Sequence, residues 1–373
     1  MNIGFDAKRA FLNQSGLGNY SRTLIKSLAE YFPGNNYSLF ITKKKISDFS
    51  DFVSRQKDLS VIEPQKILDK KISARWRSYG ITELLNKNKM DVYHGLSNEL
   101  PFNITQFKGK KIVTIHDLIF LRHPKLYPLI DRKIYNKKFK SACELADVIV
   151  ATSKQTKNDI VEFYSVNPEK IKVVYQSCED VFRNDMTKED IRKTQLKYKL
   201  PEKYLLYVGT IEERKNLLTI VKAMTIAKDI PLVIIGKKKS YFKKVERFIS
   251  KNKLKKRVLF LENVPNEDMP ALYRSSEIFI YPSLFEGFGI PIIEALSCKT
   301  PVITTKGGCF EEAGGKDSIY IDPMNHEQLA EEIKKVLSLS DVRKSVTEKG
   351  FEHSKIFLPE VIAGEMMSIY SGK

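Results

Sequence analysis

Long apolar runs are missing from this 373-residue chain, so no stretch has the length of a membrane span. No signal-peptide pattern opens it, since Met1-Asn2-Ile3-Gly4-Phe5-Asp6 already reads as a first strand, and the protein is expected to stay in the cytoplasm. Four cysteines, Cys143, Cys178, Cys298 and Cys309, are scattered without Cys-x-x-Cys spacing. They support neither a zinc site nor a disulfide framework and are expected to be reduced. Internal repeats and low-complexity tracts are absent, and no Asp-x-Asp pair stands where it could hold a metal. Acidic residues are in deficit: 45 Asp and Glu against 63 Lys and Arg leave a net charge of +18. Such an excess creates a field that attracts anions.

What remains is ordinary soluble protein, 42% hydrophobic and 29% charged. Its length exceeds the usual single core, so two domains are the default. Short apolar runs at Asn2–Asp6, Tyr37–Ile41, Asp91–His94, Lys111–Ile115, Asp147–Ala151 and Ile171–Tyr175 alternate with helix-length stretches. The pattern repeats at Tyr204–Val208, Leu232–Ile235, Val258–Leu261, Ile278–Tyr281 and Val302–Thr304. Alternation of this kind predicts α/β architecture, two doubly wound parallel sheets in domains at about 1–180 and 200–355. The boundary is expected in the polar stretch from Gln176 to Leu200. Ligands of such sheets bind beyond the carboxyl ends of strands, so the informative residues should sit there.

The most informative corner follows Ile278–Tyr281. Pro282 ends the strand, Glu286 enters a turn with Gly287 and Gly289, and Pro291 suits the first turn of a helix from about Ile290 to Ser297. The glycines are expected to let the backbone approach a ligand closely. Glu294 falls one turn into that helix among Ile292, Ile293, Ala295 and Leu296, where an ionised carboxylate is costly unless paired or hydrogen-bonded. A second corner follows Tyr204–Val208: Gly209-Thr210, then Arg214-Lys215-Asn216 ahead of a helix with Leu217, Ile220, Val221 and Met224. Cations at a helix start oppose its dipole, so that placement suggests an anionic ligand. Near the N-terminus Asp6 is followed by a loop carrying Gln14-Ser15-Gly16-Leu17-Gly18-Asn19-Tyr20. Gly16 and Gly18 match only part of the dinucleotide fingerprint, because Arg22 and Thr23 stand where a third glycine is needed. In the run Lys111–Ile115, His116-Asp117 follows the strand and is favoured as a site histidine over His94, which also ends a strand.

These motifs resemble those of retaining family-4 glycosyltransferases, the glycosyl transferases group 1 type with mannosyltransferase-like members, whose GT-B fold pairs two Rossmann-like domains. The Glu286 to Glu294 spacing matches that family's glutamate, seven residues, glutamate motif. The resemblance implies that Glu286 and the Gly287-Phe288-Gly289 backbone contact the donor sugar, while Glu294 holds the ribose hydroxyls. It assigns Arg214 and Lys215, beside Gly209 and Thr210, to the diphosphate, whose charge grows as the glycosidic bond breaks. It places Gly16 and Gly18 at the donor phosphates, His116 near the donor sugar, and Val264 at the base through backbone atoms. The catalytic group is then His116, Glu286, Arg214 and Lys215. One departure concerns Gly307-Gly308-Cys309-Phe310-Glu311, where relatives carry a Ser-Ser-Leu-Pro-Glu segment. A backbone nest for phosphate could form at Gly307-Gly308.

The resemblance further implies an N-terminal acceptor-binding domain, a C-terminal nucleotide-sugar domain, and a helix within 356–373 that crosses back to the former. No cofactor and no metal are expected. The predicted activity is hexosyl transfer with retention, mannose from GDP-mannose first, to a hydroxyl of a glycan or lipid-linked acceptor in surface polysaccharide or lipopolysaccharide synthesis. A sugar-nucleotide epimerase or a sugar phosphorylase of the same fold stays open as an alternative. Between Arg122 and Lys140 seven basic residues are interleaved with Leu126, Tyr127, Leu129, Ile130, Ile134, Tyr135 and Phe139 and face one acid, Asp131. That mixture suits peripheral contact with an anionic membrane. The second basic run, Lys237 to Arg257, reads as a solvated surface. Neither run carries a nucleic-acid motif, and no nucleic-acid partner is expected.

Overall fold

A computed structural model describes residues 1–13, 16–43, 47–64, 72–228 and 230–372. The chain forms two compact units, one of residues 1–177 with 357–373 and the other of residues 178–356. Gln14 and Ser15 of the glycine segment lie outside the described residues.

Buried parallel strands need apolar side chains on both faces, and the runs read from the sequence supply them. In the first unit they become β1 (Asn2–Asp6), β2 (Asn36–Phe40), β3 (Leu59–Ile62), β4 (Val92–Gly95), β5 (Lys110–Ile115), β6 (Val148–Ala151) and β7 (Ile171–Val173). The sheet order is β3-β2-β1-β4-β5-β6-β7 with every pairing parallel. The order reverses between β1 and β4, the switch point at which ligands enter such sheets. Leu59-Ser60-Val61-Ile62 was not expected as a strand. It is a half-exposed edge strand, so it lacks the continuous apolar run that marks the central ones.

A helix over Pro359–Ser371 completes this unit, with proline in its first turn and Gly372 at φ +76° after its end. Ile362, Ala363, Met366 and Tyr370 join the same core cluster as Tyr20, Leu24, Ile25 and Leu28 of the Gly16–Tyr31 helix. Tyr370 Oη lies 2.7 Å from His94 Nδ1, while His94 Nε2 is 2.7 Å from Thr114 Oγ1. Burial holds His94 neutral, its pKa lowered to about 3. The histidine passed over in favour of His116 is a satisfied core residue.

The second unit holds β8 (Leu205–Val208), β9 (Leu232–Ile235), β10 (Val258–Leu261), β11 (Ile278–Tyr281), β12 (Val302–Thr305) and β13 (Ile319–Ile321). Their order is β10-β9-β8-β11-β12-β13, again parallel with a switch point, here between β8 and β11. The edge strand β13 was also unforeseen, being three residues long. The polar stretch up to Leu200 is not a free linker from Cys178 on. It folds into a turn at Asp180–Phe182 and a helix at Lys188–Lys197, with Phe182 buried and its carbonyl held by Arg274 at 3.2 Å.

The four cysteines are buried, and none forms a disulfide. Among the described residues no helix is long and apolar enough to cross a membrane.

Candidate functional site

At the switch point of the second sheet, β8 runs into Gly209 at φ +151° and β9 into Gly236 at φ +156°. A Cβ on Gly236 would collide with the Gly209 carbonyl, so the close approach of the two strand ends requires glycine at 236, while at 209 it is the positive φ that favours glycine. The chain then makes a tight turn at Glu213–Lys215, closed by Asn216 in the left-handed conformation at φ +53°. Asn216 Nδ2 donates to the Pro323 carbonyl at 2.7 Å and the Pro282 carbonyl at 3.2 Å, and Leu284 N donates to the Arg214 carbonyl at 2.8 Å. These bonds lock the Arg214-Lys215 turn against the loop that follows β11.

That loop carries Glu286, and the structure brings the three charged groups into contact. Arg214 donates to Glu286 Oε2 at 2.7 Å and to the Phe285 carbonyl at 2.6 Å. Lys215 Nζ lies 2.6 Å from Glu286 Oε1 and 2.5 Å from Tyr281 Oη. The side chains of Arg214, Lys215 and Glu286 are 15%, 13% and 11% exposed, so water screens this triad weakly. Burial opposes ionisation of Glu286, yet Lys215 and Arg214 outweigh it and hold the carboxyl at about 2. Burial pulls Lys215 below its ordinary value, whereas Arg214 is raised by Glu286 despite burial. Glu212 extends the network, 2.9 Å from Arg214 and 2.6 Å from Lys239. The sequence reading separated Glu286 from the two cations by role; in the folded chain they form one ion cluster.

Past Glu286, Phe288 is buried and Gly289 stands at φ +134° as the cap residue of the Ile290–Ser297 helix. Of the two glycines in this turn only Gly289 takes a positive φ, so the freedom expected of Gly287 is not used. Glu294 is half-buried and accepts from Tyr273 Oη at 2.8 Å. Desolvation raises its pKa to about 7, a value at which the carboxyl exchanges its proton near neutrality. At Gly307-Gly308, where a nest for phosphate was expected, Gly307 N donates to Glu311 Oε1 at 2.9 Å. Thr210 follows Gly209 and its carbonyl accepts from Tyr207 Oη at 3.3 Å. Val264 is half-buried beyond edge strand β10, two strands from β8 and hence about 10 Å away across the sheet.

The first unit holds the other residues singled out. His116 directly follows β5, 5% exposed, and its Nε2 lies 2.9 Å from the Leu96 carbonyl. A carbonyl only accepts, so Nε2 carries the hydrogen and Nδ1 faces the Gln176 amide at 3.5 Å. Its backbone N donates to Asn98 Oδ1 at 2.7 Å, its ring meets Tyr20 edge-on at 4.7 Å, and burial lowers its pKa to about 4. Gly16 and Gly18 do not sit in a loop. Both lie in the first turn of the Gly16–Tyr31 helix, Gly16 exposed and Gly18 pressed against the Asn13 carbonyl, where any Cβ would clash. Gly18 is therefore explained by a helix packing on the chain before it.

A groove of about 1380 Å³ opens at the opposite end of the second sheet, where Arg274, Lys299 and Lys316 precede β11, β12 and β13. None of the site residues expected from the sequence lines it. Arg274 there donates to the carbonyls of Phe182 and Asn184, and Lys299 lies over the Phe351 ring.

Sequence reasoning missed Tyr273, Asn216, Glu212 and Gly236. Asn216 was visible as the third member of Arg-Lys-Asn, but its partner Pro282 is 66 residues away, and Tyr273 is 21 residues from Glu294.

Residues 15–178 match the family described as Glycosyltransferase Family 4, and residues 187–353 match Glycosyl transferases group 1. O-antigen chain mannosyltransferase B of Escherichia coli is 24% identical over 373 residues, covering 95% of this chain and 96% of its own. O-antigen chain mannosyltransferase RfbU of Salmonella typhimurium is 28% identical over 61% of each chain. Among solved structures, Alr3699/HepE of Anabaena in complex with UDP and glucose superposes with a TM-score of 0.79 at 16% identity over 100% of both chains. WaaG, a glycosyltransferase involved in lipopolysaccharide biosynthesis, gives 0.71 at 15% identity, over 100% of both chains. With two sheets of this topology and two family matches that together run from residue 15 to 353, the chain belongs to the group 1, family 4 glycosyltransferases and has their GT-B fold.

Proposed function

We propose that this glycosyltransferase moves a hexose, mannose in the first instance, from a nucleoside diphosphate sugar to a hydroxyl of a glycan or lipid-linked glycan, with retention at the anomeric carbon. The observation that carries the reading is the Arg214, Lys215 and Glu286 cluster at the switch point of the second sheet. A departing nucleoside diphosphate gains negative charge as the glycosidic bond breaks, and two weakly screened cations there lower that barrier. Arg214 and Lys215 take the diphosphate, Glu286 and the Gly287-Phe288-Gly289 backbone take the sugar, and Glu294 takes the ribose hydroxyls. Gly209 and Thr210 bound the phosphates, and Val264 meets the base. For the first unit the family resemblance supports His116 as a group for the sugar and Gly16 and Gly18 as groups for the phosphates and the acceptor.

With two cations on the leaving group the reaction needs no metal. Retention follows by front-face attack, the leaving phosphate accepting the acceptor proton, so no protein nucleophile is required. Mannose is the first candidate because the relatives above are named O-antigen chain mannosyltransferases, names that also favour a surface polysaccharide acceptor, while GDP-mannose as donor follows from the family resemblance alone.

The test is a thermal-shift panel of GDP, UDP, ADP and their sugar conjugates, since a ligand of the native state raises its melting temperature. One base should stabilise selectively, and the gain should vanish in Glu294→Ala and Arg214→Ala. Silence across the panel would overturn the reading.

The acceptor side carries a second expectation, peripheral docking on anionic membrane. The basic segment is not one helix: it runs through a helix ending at Arg122, a turn at Pro124–Leu126 and a helix over Leu129–Leu145. Its acids also come from elsewhere, as Arg122 pairs with Asp159 and Glu162 and Lys138 with Glu99. Around these pairs Leu126, Leu129, Ile130 and Ile134 stand 41%, 69%, 73% and 48% exposed, beside exposed Lys125, Lys133, Lys137 and Lys140. Apolar tips ringed by lysines suit insertion at the headgroup level of an anionic bilayer. Leu129→Asp with Ile130→Asp should reduce co-sedimentation with phosphatidylglycerol vesicles by about ten-fold or more. Equal binding by this variant and the unaltered protein would remove the membrane from the account.

A further inference from the structure

Glu286 does more in this geometry than face a sugar. Its carboxylate makes ion pairs at 2.7 and 2.6 Å with both of the cations assigned to the diphosphate. Glu212 holds the other face of Arg214 at 2.9 Å, so Arg214 and Lys215 already meet two carboxylates. Formal charge over these four groups sums to zero. A diphosphate approaching them does not find free positive charge; it finds cations engaged by a competing anion. We infer that Glu286 is the built-in competitor of the diphosphate, and that a nucleotide sugar binds by exchange, its diphosphate replacing the carboxylate on Arg214 and Lys215 while the sugar hydroxyls take the carboxylate. The inference rests on the reading above that these two cations receive the diphosphate.

Local anchoring makes the exchange a side-chain movement. The Glu286 carbonyl accepts from Cys309 Sγ at 3.2 Å, the Phe285 carbonyl accepts from Arg214, and Leu284 N is bonded to the Arg214 carbonyl. The backbone is thus fixed on both sides of Glu286, and the carboxylate turns about its own side-chain torsions. Lys215 keeps Tyr281 Oη and Arg214 keeps Glu212 and the Phe285 carbonyl throughout. The consequence is selectivity between donor and by-product. A nucleotide sugar offers hydroxyls to the displaced carboxylate. A nucleoside diphosphate displaces it and offers nothing in return, leaving a desolvated charge without a partner. Glu286 therefore weakens the hold on the spent nucleotide and favours its release after transfer.

Glu286→Gln tests this because glutamine keeps the size and the hydrogen-bonding reach but not the charge. Titration calorimetry with the nucleoside diphosphate chosen by the thermal-shift panel should show binding about ten-fold tighter in Glu286→Gln than in the unaltered protein. Inorganic pyrophosphate should gain in the same direction, and the nucleotide sugar should gain less. Equal or weaker nucleoside diphosphate binding in a folded Glu286→Gln overturns the inference. Arg214→Ala separates the two levels: if it leaves nucleoside diphosphate binding unchanged, the diphosphate assignment itself fails. If Arg214→Ala abolishes binding while Glu286→Gln leaves it unchanged, only the competitor role fails. Should Glu286→Gln not fold, Glu286→Asp serves, since a side chain one methylene shorter cannot reach both cations and should tighten binding by a smaller factor. No tightening in Glu286→Asp would then overturn the inference.

Discussion

Arg214→Ala is expected to lower kcat/KM for sugar transfer by about 10²- to 10³-fold, the range for removing one preorganised donor from a site where charge develops. The loss should appear largely in kcat, because negative charge on the leaving diphosphate is greater in the transition state than in the bound donor. Two features of the structure give the guanidinium this weight. It is 15% exposed, and it is held in place by the Phe285 carbonyl and Glu212, so little reorganisation accompanies the reaction. Lysine at this position should recover only part of the rate, since a point charge cannot bond Phe285, Glu286 and Glu212 at once. The variant also leaves Glu286 with one cation in place of two. Glu286 is depressed to about 2, so its contribution to stability is present above the ordinary value of 4.5 and is lost as pH falls from there toward 2. Arg214→Ala should therefore melt earlier at pH 7 and lose less of its remaining stability on acidification. Steady-state kinetics with the selected donor check the first point, and melting curves between pH 7 and 3 the second. A variant within three-fold of the unaltered rate would remove Arg214 from the chemistry.

Much of the scaffold was legible because parallel strands buried on both faces write themselves as continuous apolar runs. Eleven runs were read, and the two strands that escaped are sheet edges: β3 carries exposed Ser60 within it, and β13 is only three residues long. The corner at Glu286 was legible for a related reason: proline, glycine and an acid among aliphatics each contradict their surroundings. What local pattern could not supply was pairing across the switch point. Glu286 and the Arg214-Lys215 turn are 71 residues apart along the chain, joined only because β8 and β11 are neighbours in the sheet. The same holds for Tyr273, whose hydroxyl supplies the hydrogen bond that the aliphatic environment of Glu294 demanded. Gly16 and Gly18 show the converse for local conformation: a glycine pair after a first strand was read as a loop, whereas both open a helix in which Gly18 packs on the Asn13 carbonyl.

Glu294 yields the other large effect, on donor affinity and its pH dependence. Burial disfavours its charged form and raises its pKa to about 7, with the Tyr273 hydroxyl opposing the shift. Ribose hydroxyls donate to a carboxylate, and each bond to a charged group contributes about 1.5–3 kcal/mol. Removing both by Glu294→Ala should weaken donor binding by about 10²-fold or more. In the intact protein the carboxyl must be ionised to accept both, so donor affinity should rise as pH increases from 6 to 8 and then level off, with a proton released on binding near pH 7. Stability runs the opposite way. A carboxyl whose folded pKa lies above the unfolded 4.5 stabilises the fold below that pH and loses this contribution as pH rises through about 7. Glu294→Gln should accordingly gain stability relative to the intact protein at pH 8, by about 3 kcal/mol at most, and little at pH 4. Titration calorimetry at pH 7 in two buffers of different ionisation enthalpy reads the proton directly. A buffer-independent enthalpy, together with an affinity flat from pH 6 to 8, would mean that Glu294 does not meet the ribose.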